Sequence, residues 1–218
     1  MRDFPIFTTE YGVSSLVLKE IPYKKTAYIR IRDVQADYFE EHLKECVAFC
    51  RMCGAESIFA AGNEKLEAYP LFAAILEMRG KAWVDRKELA CLFPVTEETV
   101  ARWRSIYNET VGRVDNSSTL ESRDEKTIVE SGGAYFVHDN GHLLGIGWLE
   151  GTKLLAVAAV EKGMGRRVMH TMMSLIEGES MDLEVVSTNE RAIRLYGKLG
   201  FIKTAELRRW YDVTSGVN

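Results

Sequence analysis

Residues 154–201 read LLAVAAVEKGMGRRVMHTMMSLIEGESMDLEVVSTNERAIRLYGKLGF, and this stretch decides the fold. Leu154–Val160 is an unbroken apolar run of strand length. Gly163 and Gly165 follow it directly. Over Arg166–Glu177, Val168, Met169, Met172, Met173 and Ile176 then recur at helical spacing, so one face of a helix turns inward. LEVVST at 183–188 is a second strand, rich in β-branched residues. Asn189–Leu199 is a second amphipathic helix, with Asn189 as N-cap, Ala192, Leu195, Tyr196 and Leu199 on one face, and Gly200 just past its end. The order is strand, tight loop, helix, strand, helix.

Upstream of this stretch, Leu89–Val95 is a strand candidate. Thr96 caps the next helix, with Glu97 and Glu98 at its positive end and Val100, Trp103, Ile106 and Tyr107 on its inner face. Asp115–Asp124 is a polar loop, and a short helix spans 123–131. Asn140-Gly141 joins the strands AYFVHD and HLLGIGWLE as a hairpin turn. Two further strands cover 201–213. From residue 89 the order is therefore β-α-α-β-β-β-α-β-α-β-β. Upstream, 13–18 and 26–33 pair as strands around a turn at Pro22–Lys25, a helix runs from Asp37 to Met52 ahead of Gly54, and 56–62 is a strand. The segment 66–79 is expected to be a helix closed by Gly80.

The order over 26–80 echoes that over 154–200. Aligning Gly80 with Gly200 sets Leu76 opposite Tyr196, and the first copy has Asp33-Val34-Gln35-Ala36-Asp37 where the second has its glycine pair. The expected division is a half-domain of β-β-α-β-α pattern at 1–82 and a complete domain at 83–218.

Composition narrows the function classes. The 218 residues are 46% hydrophobic and 28% charged, ordinary for a globular chain with a core. A formal net charge of −4 supplies no field for nucleic acid or an anionic membrane. The N-terminus, Met1-Arg2-Asp3-Phe4-Pro5, opens no apolar run of signal-peptide length, and no stretch is long enough to span a bilayer. A cytoplasmic protein with no nucleic-acid or membrane partner is expected. Cysteines 46, 50 and 53 line up with His42 along one helix in a stripe that suggests a soft metal. One helix seldom presents four ligands to one ion, and Phe39, Leu43 and Val47 share the face, so buried thiols and no metal are expected.

The chemistry concentrates in two places. In Glu161-Lys162-Gly163-Met164-Gly165-Arg166-Arg167, the glycines allow a tight turn between strand and helix. The free amides and positive end of that helix, with Lys162, Arg166 and Arg167 nearby, suit a pyrophosphate. The second place is Asn189-Glu190-Arg191-Ala192-Ile193-Arg194-Leu195-Tyr196-Gly197-Lys198-Leu199-Gly200-Phe201. Together with the loop, it resembles the GNAT superfamily of N-acyltransferases: Asn, Ala three residues on, a Leu-Tyr pair, and a closing Leu-Gly-Phe. The resemblance covers about residues 89–213.

It implies an α/β fold with a mixed sheet of the GNAT type, the first 82 residues being a degenerate half of that fold. It also implies acetyl-CoA as co-substrate. Strands 154–160 and 183–188 would splay at their C-terminal ends, and the cofactor's amides would pair with Val157, Ala158, Ala159 and Val160. The pyrophosphate would lie on Lys162, Gly163, Met164, Gly165 and Arg166, beside Asn189 and Ala192. Tyr196 would protonate the departing thiolate, and Asn189 would orient cofactor or water. Two departures stand out: Val160 occupies a place usually held by Arg or Gln, and AVAAVEKGMG lacks the usual proline. Glu150, Glu161, Glu184, His138 and His142 read as solvated, so no general base is assigned.

The expected activity is acetyl transfer to the primary amine of a small molecule or peptide, with a homodimer left open. Two alternatives stay open: a non-catalytic acyl-CoA-binding module on the same fold, and an aminoacyl transferase of the tandem-GNAT kind.

Overall fold

The computed structural model describes residues 5–215; Met1–Phe4 of the N-terminal segment and the last three residues lie outside the described residues. In chain order the elements begin with β1 (Ile6–Thr8), β2 (Gly12–Val17), a single-turn α1 (Ile21–Lys24), β3 (Thr26–Val34), α2 (Phe39–Met52), β4 (Ser57–Ala61) and β5 (Leu71–Lys81). There follow β6 (Cys91–Pro94), α3 (Val100–Glu109), α4 (Glu125–Glu130), β7 (Ala134–Asp139), β8 (His142–Glu150) and β9 (Lys153–Ala159). The chain closes with α5 (Gly165–Met173), β10 (Ser180–Val186), α6 (Glu190–Lys198) and β11 (Ile202–Asp212). Among the described residues no helix is long and apolar enough to cross a membrane.

The chain divides into two compact units, Met1–Ile75 with Leu207–Asn218, and Leu76–Glu206. In the first unit the strand order is β1-β2-β3-β4-β11, the last contributing residues 207–212. β2 and β3 are antiparallel, while β3 and β4 run parallel with α2 as the crossover. The buried face of α2 comprises Phe39, His42, Leu43, Cys46, Val47 and Cys50, spaced at three and four residues as a single stripe requires.

His42 is fully buried yet satisfied: Thr9 Oγ1 lies 2.7 Å from Nδ1 and Ser14 Oγ 2.8 Å from Nε2, and burial lowers its pKa. Cys46 and Cys50 are core residues, and burial pushes their thiols up to about 11 and about 12. Cys53 is exposed. The stripe is thus packing on one side and surface on the other.

In the second unit the order is β11-β5-β10-β9-β8-β7-β6, with β5 contributing residues 76–81. β6 to β9 are successively antiparallel, and β9 and β10 are parallel with α5 as the crossover. α5 packs closely on β8 because Gly145 and Gly147 are there. A Cβ on Gly147 would lie 2.3 Å from Met172 Sδ, and one on Gly145 would lie 2.8 Å from Val168 Cγ2. Val168, Met169, Met172 and Met173 are all fully buried, as their spacing predicts. On the opposite face Trp103, Ile128 and Ile146 form a separate core, and Trp103 Nε1 donates to the Tyr135 carbonyl at 3.0 Å.

Three expectations are corrected. Residues 66–79 are not a helix: 64–68 form a 3-10 turn, and after Pro70 the chain extends as β5. Leu, Ala, Glu and Met favour a helix intrinsically, but pairing within the sheet overrides that weak preference. Gly80 is accordingly not a helix terminus. It is a strand position with a Phe201 ring against it, where a Cβ would come within 2.7 Å of the ring. Leu76 therefore sits on a strand and has no positional likeness to Tyr196.

The two expected terminal strands are one strand of eleven residues. α3 begins one turn later than expected, at Val100, because Thr96 N–H donates to Thr99 Oγ1 at 2.9 Å and holds 96–99 as a turn.

Candidate functional site

The site begins with one extra residue. β8 and β9 pair with Trp148 opposite Ala156 and Leu149 opposite Leu154, so Leu155 has no partner and forms a bulge. The parallel ladder between β9 and β10 ends at this point: it consists of Lys153 opposite Asp182 and Leu154 opposite Leu183. β9 nevertheless continues to Ala159 and β10 to Val186. Beyond the bulge the two strands run on without pairing.

Which groups are left open follows from alternation. Val160 N–H donates to the Leu144 carbonyl at 2.9 Å, so Val160, Ala158 and Ala156 direct their backbone groups toward β8. Val157 and Ala159 direct theirs the other way, to the side where β10 has left the ladder. Of the four strand residues expected to meet a ligand, these two carry the free backbone groups, whereas the amide of Val160 is occupied and its side chain is 48% exposed.

A cavity of about 330 Å³ lies at this opening. Val157, Ala158 and Ala159 line it from β9, Gly163, Gly165, Arg166 and Met169 from the loop and α5, and Asn189, Arg191, Ala192, Leu195 and Tyr196 from α6. Nine residues singled out in the sequence thus meet in one place. Lys162 stays exposed on the loop and Met164 packs into the core under α5, so neither lines the cavity.

Arg191, Met169 and Leu195 line the cavity without having been singled out. Met169 and Leu195 lie on the apolar helix faces, where a core residue and a cavity wall look alike in sequence. For Arg191 the signal was its place in the first turn of α6, two residues after the cap.

The loop adopts a shape that needs glycine. Gly163 has φ +92°, a left-handed conformation that side chains resist. A Cβ on Gly165 would stand 3.2 Å from Leu195 Cδ2, so the second glycine lets α6 approach the start of α5. The first helical bond of α5 runs from Val168 N–H to the Met164 carbonyl, leaving the amides of residues 165–167 ahead of it unused by the helix.

Asn189 is the N-cap of α6: its Oδ1 accepts from Ala192 N–H at 3.1 Å. The oxygen is committed to the helix, and the carboxamide NH2 remains for the cavity. Tyr196 is 8% exposed, and burial pushes its phenol up to about 12. It therefore holds its proton throughout the neutral range.

None of the five groups considered as a base lines the cavity. Glu150 and Glu161 are exposed, and Glu184 pairs with Lys153 at 2.6 Å. His142 is exposed, and His138 packs edge-on against Phe93 and Phe136.

Comparison with known proteins agrees with this geometry. The family described as "FR47-like protein" matches residues 150–211, the segment that contains the bulge, the loop and α6. No curated protein sequence matches the chain.

Among solved structures, the chain is similar to a GNAT-family acetyltransferase from Colwellia psychrerythraea (13% identity, TM-score 0.53, covering 95% of this chain and 84% of that one). A GCN5-related N-acetyltransferase from Sphaerobacter thermophilus is similar at 12% identity and TM-score 0.53, covering 94% and 78%. Another, from Anabaena variabilis, is similar at 8% identity and TM-score 0.61, covering 94% and 60%. The fold is of the GNAT acyltransferase type, and residues 150–211 carry the match to the FR47-like family.

Proposed function

We propose that the chain is an N-acyltransferase that moves an acetyl group from acetyl-CoA to a primary amine. The observation that carries this reading is the end of the β9–β10 ladder at Leu154 and Leu183, which leaves Val157 and Ala159 open beside the cavity. An extended chain of amide groups, such as the pantetheine arm, can pair there as an added strand. The free amides at the start of α5 and the Arg166 guanidinium suit a diphosphate.

An amide of the opened strand is suited to stabilise negative charge developing on the thioester carbonyl. The amine forms a carbon–nitrogen bond as the carbon–sulfur bond breaks. It gives up one proton to solvent, and Tyr196 supplies one to sulfur and regains one from solvent. A buried phenol that stays protonated fits a donor better than a base. The NH2 of Asn189, whose oxygen caps α6, would hold a carbonyl or a water at the same opening.

The first unit fits a degenerate half of the same fold. β3 also carries a bulge, at Arg32, where the β2–β3 register passes from Ser14 opposite Ile31 to Val13 opposite Asp33. There, however, the β3–β4 ladder runs through five pairs to Arg30 and Ala61, and β3 ends at Val34. Gly62 then closes on the Ile31 carbonyl, where a Cβ would lie 2.4 Å away. The ladder there reaches the end of β4, so only β3 runs on past it, through Ile31–Val34, and no second strand parts from it as β10 parts from β9.

The test is a thermal-shift titration with acetyl-CoA, followed by a panel of primary amines read by release of the CoA thiol. Stabilisation and turnover are expected. Binding without turnover across the panel would instead favour a non-catalytic acyl-CoA-binding module, and absence of binding would overturn both readings.

A further inference from the structure

α5 and α6 each carry two arginines, Arg166 and Arg167 on one and Arg191 and Arg194 on the other. Their surroundings differ pairwise. Arg167 is held by Asp139 at 2.7 Å and donates to the Leu89 carbonyl, and Arg194 is held by Glu190 at 2.8 Å. Arg166 and Arg191 have no ion pair or hydrogen-bond partner among the described residues, and both line the cavity. No carboxylate lines it with them. One cation from each helix is thus left uncompensated at the same opening.

The two are not equivalent. Arg166 is in the first turn of α5, beside the free amides of the glycine loop, so it belongs to the same anchor as the loop. Arg191 stands on a different helix, beyond the Asn189 cap, whose Oδ1 takes the Ala192 N–H. A guanidinium recognises a phosphate through its own fork of donors. CoA carries two separate anionic groups, a diphosphate and the 3′-phosphomonoester on its ribose. Two separate cationic anchors match that pattern.

We propose that Arg191 is a specificity residue that reads the 3′-phosphate and so distinguishes CoA from dephospho-CoA, while Arg166 and the loop hold the diphosphate. This rests on the acyl-CoA reading given above. The discrimination is electrostatic and partly exposed, so it weakens as salt rises.

The test compares equilibrium binding of CoA and dephospho-CoA to the full chain, to Arg191→Gln, to Arg191→Lys and to Arg166→Gln. The unaltered chain is expected to prefer CoA roughly tenfold, the order expected for one charge-assisted contact. Arg191→Gln abolishes the preference by weakening CoA alone, Arg191→Lys keeps part of it, and Arg166→Gln weakens both ligands by a similar factor.

The proposal is overturned if Arg191→Gln weakens both ligands equally or leaves the preference intact. A chain that binds both ligands alike also overturns it, while leaving the acyl-CoA reading in place. A chain that binds neither overturns that reading and this one with it.

Discussion

The Thr188 hydroxyl donates to the Asp115 carboxylate across 2.9 Å, tying the end of β10 to the polar loop that follows α3. The 3-10 turn at Val111–Arg113, just upstream, lies against β9. One loop therefore reaches both strands that part at the bulge. Val111 packs with Ala156 and Ala158, on the face opposite Met169 and Leu195, which places the loop on the far side of the opening from the cavity. An amine approaching from that side meets the Asp115 carboxylate. Asp115→Asn keeps an oxygen for Thr188 and removes the charge. It is expected to raise the acceptor KM roughly tenfold, the loss of one charge-assisted contact, while leaving acetyl-CoA affinity unchanged. An unaltered acceptor KM would remove Asp115 from the acceptor side.

Tyr196→Phe preserves the ring in the core beside Phe201, whose centroid lies 6.0 Å from that of Tyr196. The variant should fold and bind acetyl-CoA as before. Its kcat is expected to fall by roughly two orders of magnitude or more, the range for loss of a positioned proton donor. Full turnover would show that the thiolate obtains its proton elsewhere.

The same phenol makes stability depend on alkaline pH. Below about pH 10 it is protonated in both folded and unfolded chains and contributes no difference. Above that, the unfolded chain ionises while the folded one holds its proton to about 12. Stability intact below pH 10 is therefore lost as pH rises through 12, by on the order of 3 kcal/mol from this group. Urea midpoints measured from pH 8 to 11.5 should fall more steeply for the unaltered chain than for Tyr196→Phe. Parallel curves would mean that the Tyr196 hydroxyl reaches solvent.

The thiols separate into two classes. Cys53 and Cys91 are exposed, whereas Cys46 and Cys50 are buried with raised pKa values. A thiol reagent that reacts through the thiolate should label two cysteines quickly at pH 8 and the other two only on unfolding. Fast labelling of Cys46 would show that the α2 core opens locally.

What could be read in advance followed from where chemistry and packing ask for the same residues. Asn189 is legible because a cap needs its oxygen, and Gly163 because its φ of +92° needs glycine. The bulge at Leu155 was not legible. Nothing in LLAVAAV marks one residue as extra, because a bulge is a property of the register with β8. β5 was misread for a related reason: LFAAILEM has the composition of a helix, and only its neighbours in the sheet make it a strand. Arg191 and Arg194 look alike in sequence. Glu190, four residues before Arg194, neutralises one of them and leaves the other facing the cavity.

A truncated chain starting at residue 83 tests the part played by β5. In the second unit residues 76–81 flank β10, Met78 and Ala82 are core residues, and Phe201 packs on Gly80. Removing them exposes one side of β10 and uncovers Phe201, which is 3% exposed in the intact chain. Burial of Met78 and Phe201 contributes about 2 kcal/mol each, a large part of the 5–15 kcal/mol typical of a domain. The opened edge is also a template for aggregation. Residues 83–218 alone are therefore expected to aggregate or to lack a cooperative thermal transition, and to show no stabilisation by acetyl-CoA. A peptide spanning 70–82, added in trans, should restore part of the transition by refilling the strand position. If 83–218 instead melts cooperatively within a few degrees of the full chain, β5 is dispensable and the second unit is complete without it.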